Sequence, residues 1–277
     1  QSYRWDEMDL NPYEEATENG REAVARVMYD CAVALKSSFG RNGTTAIVED
    51  WTDGTVHYGV SNALTQVFGY AYCLETETSD IAEIRRILNA NLDAGLPVMV
   101  SIDFKSGGRY SNEHEAVVDG YGYMGGSIYH HLNLGVNGNL GPALNVWYKL
   151  PDAYVFNNIW YLNHNIMPRT AGCIVSGRVA DAAGNPVEGA EMSCSAVSGT
   201  VTTGANGIYS FIVPENTSGS VTVTAKANGR HSSLSVAVSA AISGNDFTYS
   251  PSWAETTGGG EEETGGGDGG GYEAGGG

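Results

Sequence analysis

The sequence predicts an α+β domain followed by a small all-β domain. Helical apolar patterns come first in residues 1–168, and strand patterns indicating an antiparallel sheet follow them. Residues 173–249 then hold roughly six or seven short alternating strands, as a β-sandwich does. Residues 250–277 are rich in Gly and Glu and have little to bury, so we expect a flexible linker.

Three helices are predicted in the first part of the chain. They span residues 14–38, 61–70 and 80–94. The third helix has the clearest signals for its two ends. Asp80 is a good N-cap, Glu83 completes a capping box and Gly95 stands just past the last turn. In the first helix, apolar residues that include Cys31 recur at helical spacing and predict a buried stripe.

Strand-like segments follow in both parts of the chain. In the first part they are Pro97–Phe104, Ala116–Tyr123, Ser127–Asn133, Asn145–Lys149 and Asn158–Asn163. In the second part they are Ile174–Val179, Ala190–Val197, Val201–Gly204, Ile208–Val213, Ser220–Ala225 and Ser233–Val238. Turn pairs such as Asn206-Gly207 and Asn228-Gly229 separate several of these strands.

Composition excludes several classes of function. The 32 acidic and 14 basic residues leave a net charge of −18, which disfavours nucleic acid and anionic membranes as partners. No apolar run approaches the roughly 18 residues of a membrane-spanning helix, so we expect no membrane insertion. The cysteines show no metal-ligand spacing, so we predict buried free thiols and neither a metal nor a cofactor. These are Cys31, Cys73, Cys173 and Cys194.

Candidate chemistry concentrates around His114 and Asn133. His114 precedes the strand Ala116–Tyr121, and Asn133 ends the next strand. If the two strands pair as a hairpin, both side chains lie near one end of the sheet. An imidazole oriented by an amide can accept the proton of a thiol nucleophile. A single histidine on a strand is nevertheless more often a packed or hydrogen-bonded group, so the pattern alone leaves both readings open.

Five sequence blocks resemble the streptopain-like cysteine peptidases, a group of the papain superfamily. The segment from His114 to Tyr121 resembles their H-A-x-V-x-D-G-Y, and that from Tyr129 to Gly135 resembles Y-x-H-x-N-W-G-W. Further upstream, YRWDEM, ARVMYDC and GLPV resemble three more blocks in the same order. The resemblance covers about residues 3–150 and implies a papain-like domain and a cysteine-type endopeptidase.

The resemblance also implies roles for particular residues. His114 would be the general base and acid, and Asn133 its orienting partner. The border of a cleft for polypeptide substrates would comprise Gly43, Thr44, Thr45, Asn112, Glu113 and Leu134. In the family the nucleophile precedes the first of these blocks, so we expect it upstream of residue 1 in a longer protein. Cys31 and Cys73 are interpreted as core thiols, and the chain by itself is expected to be inactive.

One departure from the family pattern supports an alternative. Leu134 and Val136 stand where the resemblance has two tryptophans. A catalytically inactive pseudopeptidase, acting as an extracellular binding or adhesion protein, therefore stays open. A sugar-binding module is a third possibility, suggested by aromatic residues on strands that more often fill a core. These are Trp147, Tyr148, Trp160 and Tyr161.

The second part of the chain resembles the carboxypeptidase-regulatory-like, transthyretin-type modules. The similarity lies in VSGRVADAAGNPVEGA from Val175 to Ala190 and in TGANGIYSF from Thr203 to Phe211. Such modules are usual in extracellular proteins and carry no catalytic set. We therefore expect a secreted or cell-surface protein, and the oligomeric state stays open.

Overall fold

The computed structural model describes residues 2–8, 17–41, 43–46, 49–52, 55–106, 109–135, 145–150 and 156–256. Three predictions lie outside the described residues: the start of the first helix before residue 17, any role of Val136, and the linker from residue 257 onward.

Three α-helices form in the described part, with two shorter helical turns. The helices are α1 (Glu18–Ala34), α2 (Gly59–Asn62) and α3 (Ile81–Asp93), the 3-10 turn is Trp5–Glu7 and the π-helical turn is Ala63–Val67. The predicted helix 61–70 is thus α2 continued by the π-helical turn. The predicted buried stripe of α1 is only half-buried: Val27 and Cys31 are partly exposed and Met28 is 66% exposed. None of the helices in the described ranges is long and apolar enough to cross a membrane.

Ten strands follow one another in the described residues of the first part. They are β1 (Ser38–Gly40), β2 (Gly43–Thr45), β3 (Glu49–Thr52), β4 (Thr55–Tyr58), β5 (Tyr72–Glu77), β6 (Val98–Ser106), β7 (Arg109–Met124), β8 (Ser127–Asn133), β9 (Asn145–Tyr148) and β10 (Phe156–Met167). Strands β1–β2 and β3–β4 form two small hairpins, and the other six form one antiparallel sheet in the order β5-β10-β6-β7-β8-β9.

The sheet confirms the five predicted strands and adds β5, which sequence reasoning missed. Cys73 follows the predicted helix 61–70 and lies in β5, opposite the end of β10. The segment YCLETE has no clear strand pattern, so its conformation is decided by pairing with β10. Residues between the predicted strands Pro97–Phe104 and Ala116–Tyr123 are likewise largely strand, since β6 and β7 pair as far as Ser106 and Arg109.

Helix α3 packs on one face of the sheet and closes the first core. Ile84, Ile87 and Leu88 of α3 are buried against strand residues such as Val100 and Val118. This burial follows the apolar spacing that predicted the helix.

The N-cap of α3 gives a first stability prediction. The carboxylate of Asp80 accepts the backbone N–H of Ala82 at 2.9 Å. We expect Asp80→Ala to lower the free energy of unfolding by about 1 kcal/mol, because one orphan helix donor loses its partner. Urea unfolding monitored by circular dichroism measures this change, and Asp80→Asn, which keeps an acceptor, should recover most of it.

The second part of the chain is a two-sheet sandwich. Its strands are β11 (Gly172–Ala180), β12 (Glu191–Cys194), β13 (Thr200–Thr202), β14 (Ile208–Pro214), β15 (Ser220–Ala227), β16 (Arg230–Ala237), β17 (Ala241–Ile242), β18 (Phe247–Thr248) and β19 (Ala254–Glu255). One sheet runs β14-β11-β17 with β18 also on β11, and the other runs β13-β12-β15-β16-β19. Alternate residues of both sheets, among them Val175, Tyr209 and Val223, fill the core between them.

A buried junction joins the sandwich to the first part. Ala90 of α3, Met167 of β10 and Ile174 and Ala241 of the sandwich form one apolar cluster. The guanidinium of Arg86 donates to the Ala241 carbonyl across the same junction. Helix α3 is therefore covered by the sheet on one side and by the sandwich on another.

Candidate active site

His114 and Asn133 lie on neighbouring strands, but their side chains do not share a face of the sheet. The predicted hairpin forms, with Asn133 opposite Val117 and Leu132 opposite Val118. Because side chains alternate along a strand, His114 lies on the face of Val118, and Asn133 lies on the other face. The amide oxygen of Asn133 accepts the Gly135 backbone N–H at 2.9 Å.

The residue after Asn133 provides a closer acceptor for the imidazole. Nε2 of His114 lies 2.6 Å from the carbonyl oxygen of Leu134. A carbonyl oxygen can only accept, so Nε2 carries the proton and donates it to this bond. Nδ1 is then the ring nitrogen that keeps the lone pair, which is the form a general base needs.

The predicted cleft residues are placed unevenly. Gly43, Thr44 and Thr45 form β2, and Asn112 and Glu113 lie within β7. The side chains of Thr44, Thr45, Asn112 and Glu113 lie outside the described part of the structure. Leu134 is fully buried and belongs to the core that packs against α3.

The four cysteines are free, and three of them lie where burial disfavours the reactive thiolate. Cys73 and Cys194 are buried, whereas Cys31 and Cys173 are partly exposed, which corrects the expectation of four buried thiols. Burial raises the pKa of Cys73 to about 12 and also raises the pKa of Cys31 and Cys173. A nucleophilic cysteine requires a lowered pKa, because the thiolate is the reactive form. Within the described residues, no cluster of three or more His, Cys, Asp or Glu side chains is arranged to hold a metal.

The adjacent histidines His130 and His131 face opposite ways, as their place on one strand predicts. His130 is fully buried, and its Nε2–H donates to the amide oxygen of Asn89 at 2.9 Å. Desolvation lowers the pKa of His130 to about 4, so the ring is neutral at pH 7.

His131 belongs to an exposed polar and aromatic group that sequence reasoning did not assemble. Its Nδ1–H donates to Asp119 Oδ1 at 2.5 Å, and its ring centroid lies 5.3 Å from that of Trp147. Asp119 sits at a bulge between β7 and β8, which changes the register between Val118 and Gly120. A β-bulge of this kind changes the direction in which nearby side chains point. The sequence carries no clear signal for the bulge.

The four aromatic residues that suggested either a core or a sugar-binding surface differ in their burial. Tyr148 and Tyr161 are buried, as expected for core residues, and Trp160 is partly buried. Trp147 is 53% exposed, so the core interpretation is wrong for this residue.

Comparison with known protein families shows which family the chain belongs to. The family model described as peptidase C10 matches residues 1–142, about half of the sequence. The chain belongs to the peptidase C10, or streptopain, family. A second model, described as the carboxypeptidase regulatory-like domain, matches residues 174–248. Both resemblances inferred from the sequence blocks are thereby confirmed.

A solved structure is also similar to this peptidase C10 chain. It is the active wild-type interpain A cysteine protease of Prevotella intermedia, with 22% sequence identity and a TM-score of 0.46. The similarity covers 60% of this chain and 64% of that one, so the chain spans less than two thirds of its length. No curated protein matches this sequence at a significant level.

Proposed function

We propose that this peptidase C10 chain is the histidine-bearing part of a secreted cysteine-type endopeptidase that hydrolyses polypeptides. The observation that carries the proposal is the bond from His114 Nε2–H to the Leu134 carbonyl. It orients the ring and assigns the proton to one nitrogen, so that Nδ1 can act as the base. The nucleophile is proposed to be a cysteine outside this sequence, since burial raises the pKa of both Cys31 and Cys73.

The proposed reaction follows from these roles. Nδ1 of His114 takes the thiol proton, and the thiolate sulfur attacks the peptide carbonyl carbon. The tetrahedral intermediate collapses as the imidazolium gives its proton to the leaving amine, which leaves a thioester. Water then attacks the thioester while His114 accepts a proton from it, and the thiol is regenerated with release of the acid.

A catalytically inactive member of the family is the second candidate, and Leu134 is the observation that favours it. Its fully buried side chain stands where the sequence blocks of the family have tryptophan. Leucine excludes water but offers neither an aromatic face nor an N–H group. Such a protein would keep the fold and act as an extracellular binding protein.

Labelling of the longer natural protein with a thiol-reactive peptidyl probe tests the proposal. We expect His114→Ala to slow covalent labelling by about 10²–10⁴-fold, because the proton acceptor is lost. His231→Ala, which changes a histidine of the sandwich, is the matched control and should label normally. A folded parent protein that takes no label at all would overturn the peptidase and favour the inactive candidate.

The acceptor for His114 can be distinguished by a second variant. If the Leu134 carbonyl orients the imidazole, Asn133→Ala should slow labelling by less than about tenfold, since the Nε2 bond stays in place. A loss as large as that of His114→Ala would show instead that the amide of Asn133 is the orienting group in the active protein. Circular dichroism of each variant checks that the sheet is retained.

A further inference from the structure

An exposed aromatic pocket lies at the turn between β7 and β8, beside the edge strand β9. The cavity measures about 390 Å³ and is lined by Gly122, Tyr123, Met124, Tyr129 and Trp147. Tyr123 and Met124 are each 68% exposed and Trp147 is 53% exposed. Large apolar side chains grouped on a surface in this way mark a binding site more often than isolated ones do.

The indole that forms one wall is held in place before any ligand arrives. Trp147 pairs with His131 on β8, and its six-membered ring reaches across to β7. A Cβ built on Gly120 would lie 3.5 Å from Cη2 of the indole, and one built on Gly122 would lie 3.7 Å from Cζ3. The ring therefore rests over two glycines, and His131, itself bonded to Asp119, packs at its side.

A carboxylate lies close to this pocket. Asp119 is 45% exposed and is bonded to His131, whose ring packs against the indole. Asp93, Asp246 and Arg178 line a separate cavity, which Tyr123 also borders.

We propose that this pocket binds the cationic side chain of a lysine or arginine in a polypeptide segment. Aromatic faces attract a cation through the ring quadrupole, and tryptophan does so most strongly. The carboxylate of Asp119 and the net charge of −18 add attraction of the same sign. A small neutral polar ligand would gain nothing from that field. The site acts independently of proteolysis and would serve the active and the inactive protein alike.

The direct test is a titration of this chain, which does not contain the proposed nucleophile, with acetyl-Gly-Gly-Lys-Gly-Gly-amide. The same peptide with an acetylated lysine is the control ligand. We expect the lysine peptide to shift the Trp147 indole N–H resonance in NMR spectra, weakly at physiological salt and more strongly at low salt. The acetylated peptide, which has no charge, should leave that resonance in place.

Two tryptophan variants distinguish binding at the pocket from nonspecific binding to exposed indole rings. Trp147→Ala should weaken binding of the lysine peptide at least about threefold, since it removes the main cation–π partner. Trp5→Ala changes an indole that is 64% exposed in another part of the chain, and it should leave the affinity unchanged. Asp119→Asn should weaken binding by about twofold, as expected for an exposed charge.

Three results would overturn the proposal. One is equal binding of the charged and acetylated peptides, and another is unchanged affinity in Trp147→Ala. The third is binding of a neutral oligosaccharide, such as cellohexaose, at Trp147 in the absence of lysine binding, which would make the pocket a sugar platform. None of these results depends on peptidase activity, so failure of the probe-labelling test would leave this site unaffected.

Discussion

Replacing Asn165 by alanine is expected to lower the free energy of unfolding by about 3–4 kcal/mol. Asn165 is fully buried in β10 at the junction with the sandwich. Its amide nitrogen donates to the carbonyls of Gly172 and Ala240, at 3.1 and 2.7 Å. Its amide oxygen accepts from Asn91 Nδ2 and from Nδ1–H of His164, at 3.2 and 2.9 Å.

The expected loss is large because the partners are buried as well. Without the Asn165 side chain, two carbonyl oxygens and two N–H donors lose a partner where water has little access, and each such loss costs roughly 1–3 kcal/mol before the site relaxes. Asn165 also has a φ of 49°, a left-handed conformation in which alanine is strained. Chemical denaturation, followed by circular dichroism and by tryptophan fluorescence, measures the total.

Two control variants divide that total into its parts. Asn165→Gly removes the side chain but tolerates the positive φ, so it should be about 1 kcal/mol less destabilising than Asn165→Ala. Asn228 has a φ of 50° on the surface, and Asn228→Ala should therefore cost only about 1 kcal/mol. Equal losses at positions 165 and 228 would mean that the buried network contributes no stability.

The second large effect concerns pH. Once Asp93 is replaced by asparagine, we expect the free energy of unfolding to fall clearly as the pH is lowered from 7 to 4. Asp93 is the last residue of α3 and is partly buried, and the hydroxyls of Tyr121 and Ser176 donate to its carboxylate at 2.7 and 2.6 Å. Desolvation raises the pKa of Asp93 from 3.8 to about 6. The native state then binds a proton before the unfolded state does as the pH falls, so this carboxyl adds about 2 kcal/mol of stability between pH 7 and pH 4.

His130 contributes with the opposite sign over almost the same range. Its pKa falls from 6.5 to about 4, so the unfolded state takes up the proton first. Acidification from pH 7 to pH 4 therefore removes about 3 kcal/mol of stability through His130. In the unmodified chain the contributions of Asp93 and His130 therefore offset each other for the most part.

Each replacement removes one of these two opposing contributions to the pH dependence of stability. We expect Asp93→Asn to lose about 2 kcal/mol more than the unmodified chain between pH 7 and pH 4, and His130→Gln to lose about 3 kcal/mol less. Asparagine keeps an acceptor for Tyr121 and glutamine keeps a donor for Asn89, so the geometry is retained. Urea unfolding at pH 4, 5, 6 and 7 gives the slope of the unfolding free energy against pH for each protein. Parallel slopes for all three proteins would contradict the assigned pKa directions.

Local chemistry in the sequence is sufficient for much of the fold. Helix α3 begins after Asp80 and ends before Gly95, as its cap and stop residues predict. The strand Ser127–Asn133 matches its predicted bounds, because its strand-forming residues end at glycine turns. In the sandwich, the Asn206-Gly207 turn forms with Gly207 at a φ of 73°, where a Cβ would lie 2.4 Å from the Val179 carbonyl oxygen.

Other features depend on partners that are distant in the sequence. Strand β5 exists because β10 pairs with it, and neither its composition nor its length predicts a strand. The junction around Asn165 joins residues that are 7 to 75 positions apart, and no local pattern indicates which asparagine will be buried. The exposure of Trp147 depends on its place at the sheet edge, since an aromatic residue on a strand fits either face equally well.

The candidate site shows the same division. Sequence blocks were sufficient to assign the peptidase C10 family and to place Asn133 on the strand next to that of His114. Only the strand register decided that Asn133 and His114 occupy opposite faces, and that the Leu134 carbonyl meets Nε2. The physical reason is that side chains alternate along a strand. A shift of one residue in pairing reverses the face of every side chain, and pairing is a tertiary property.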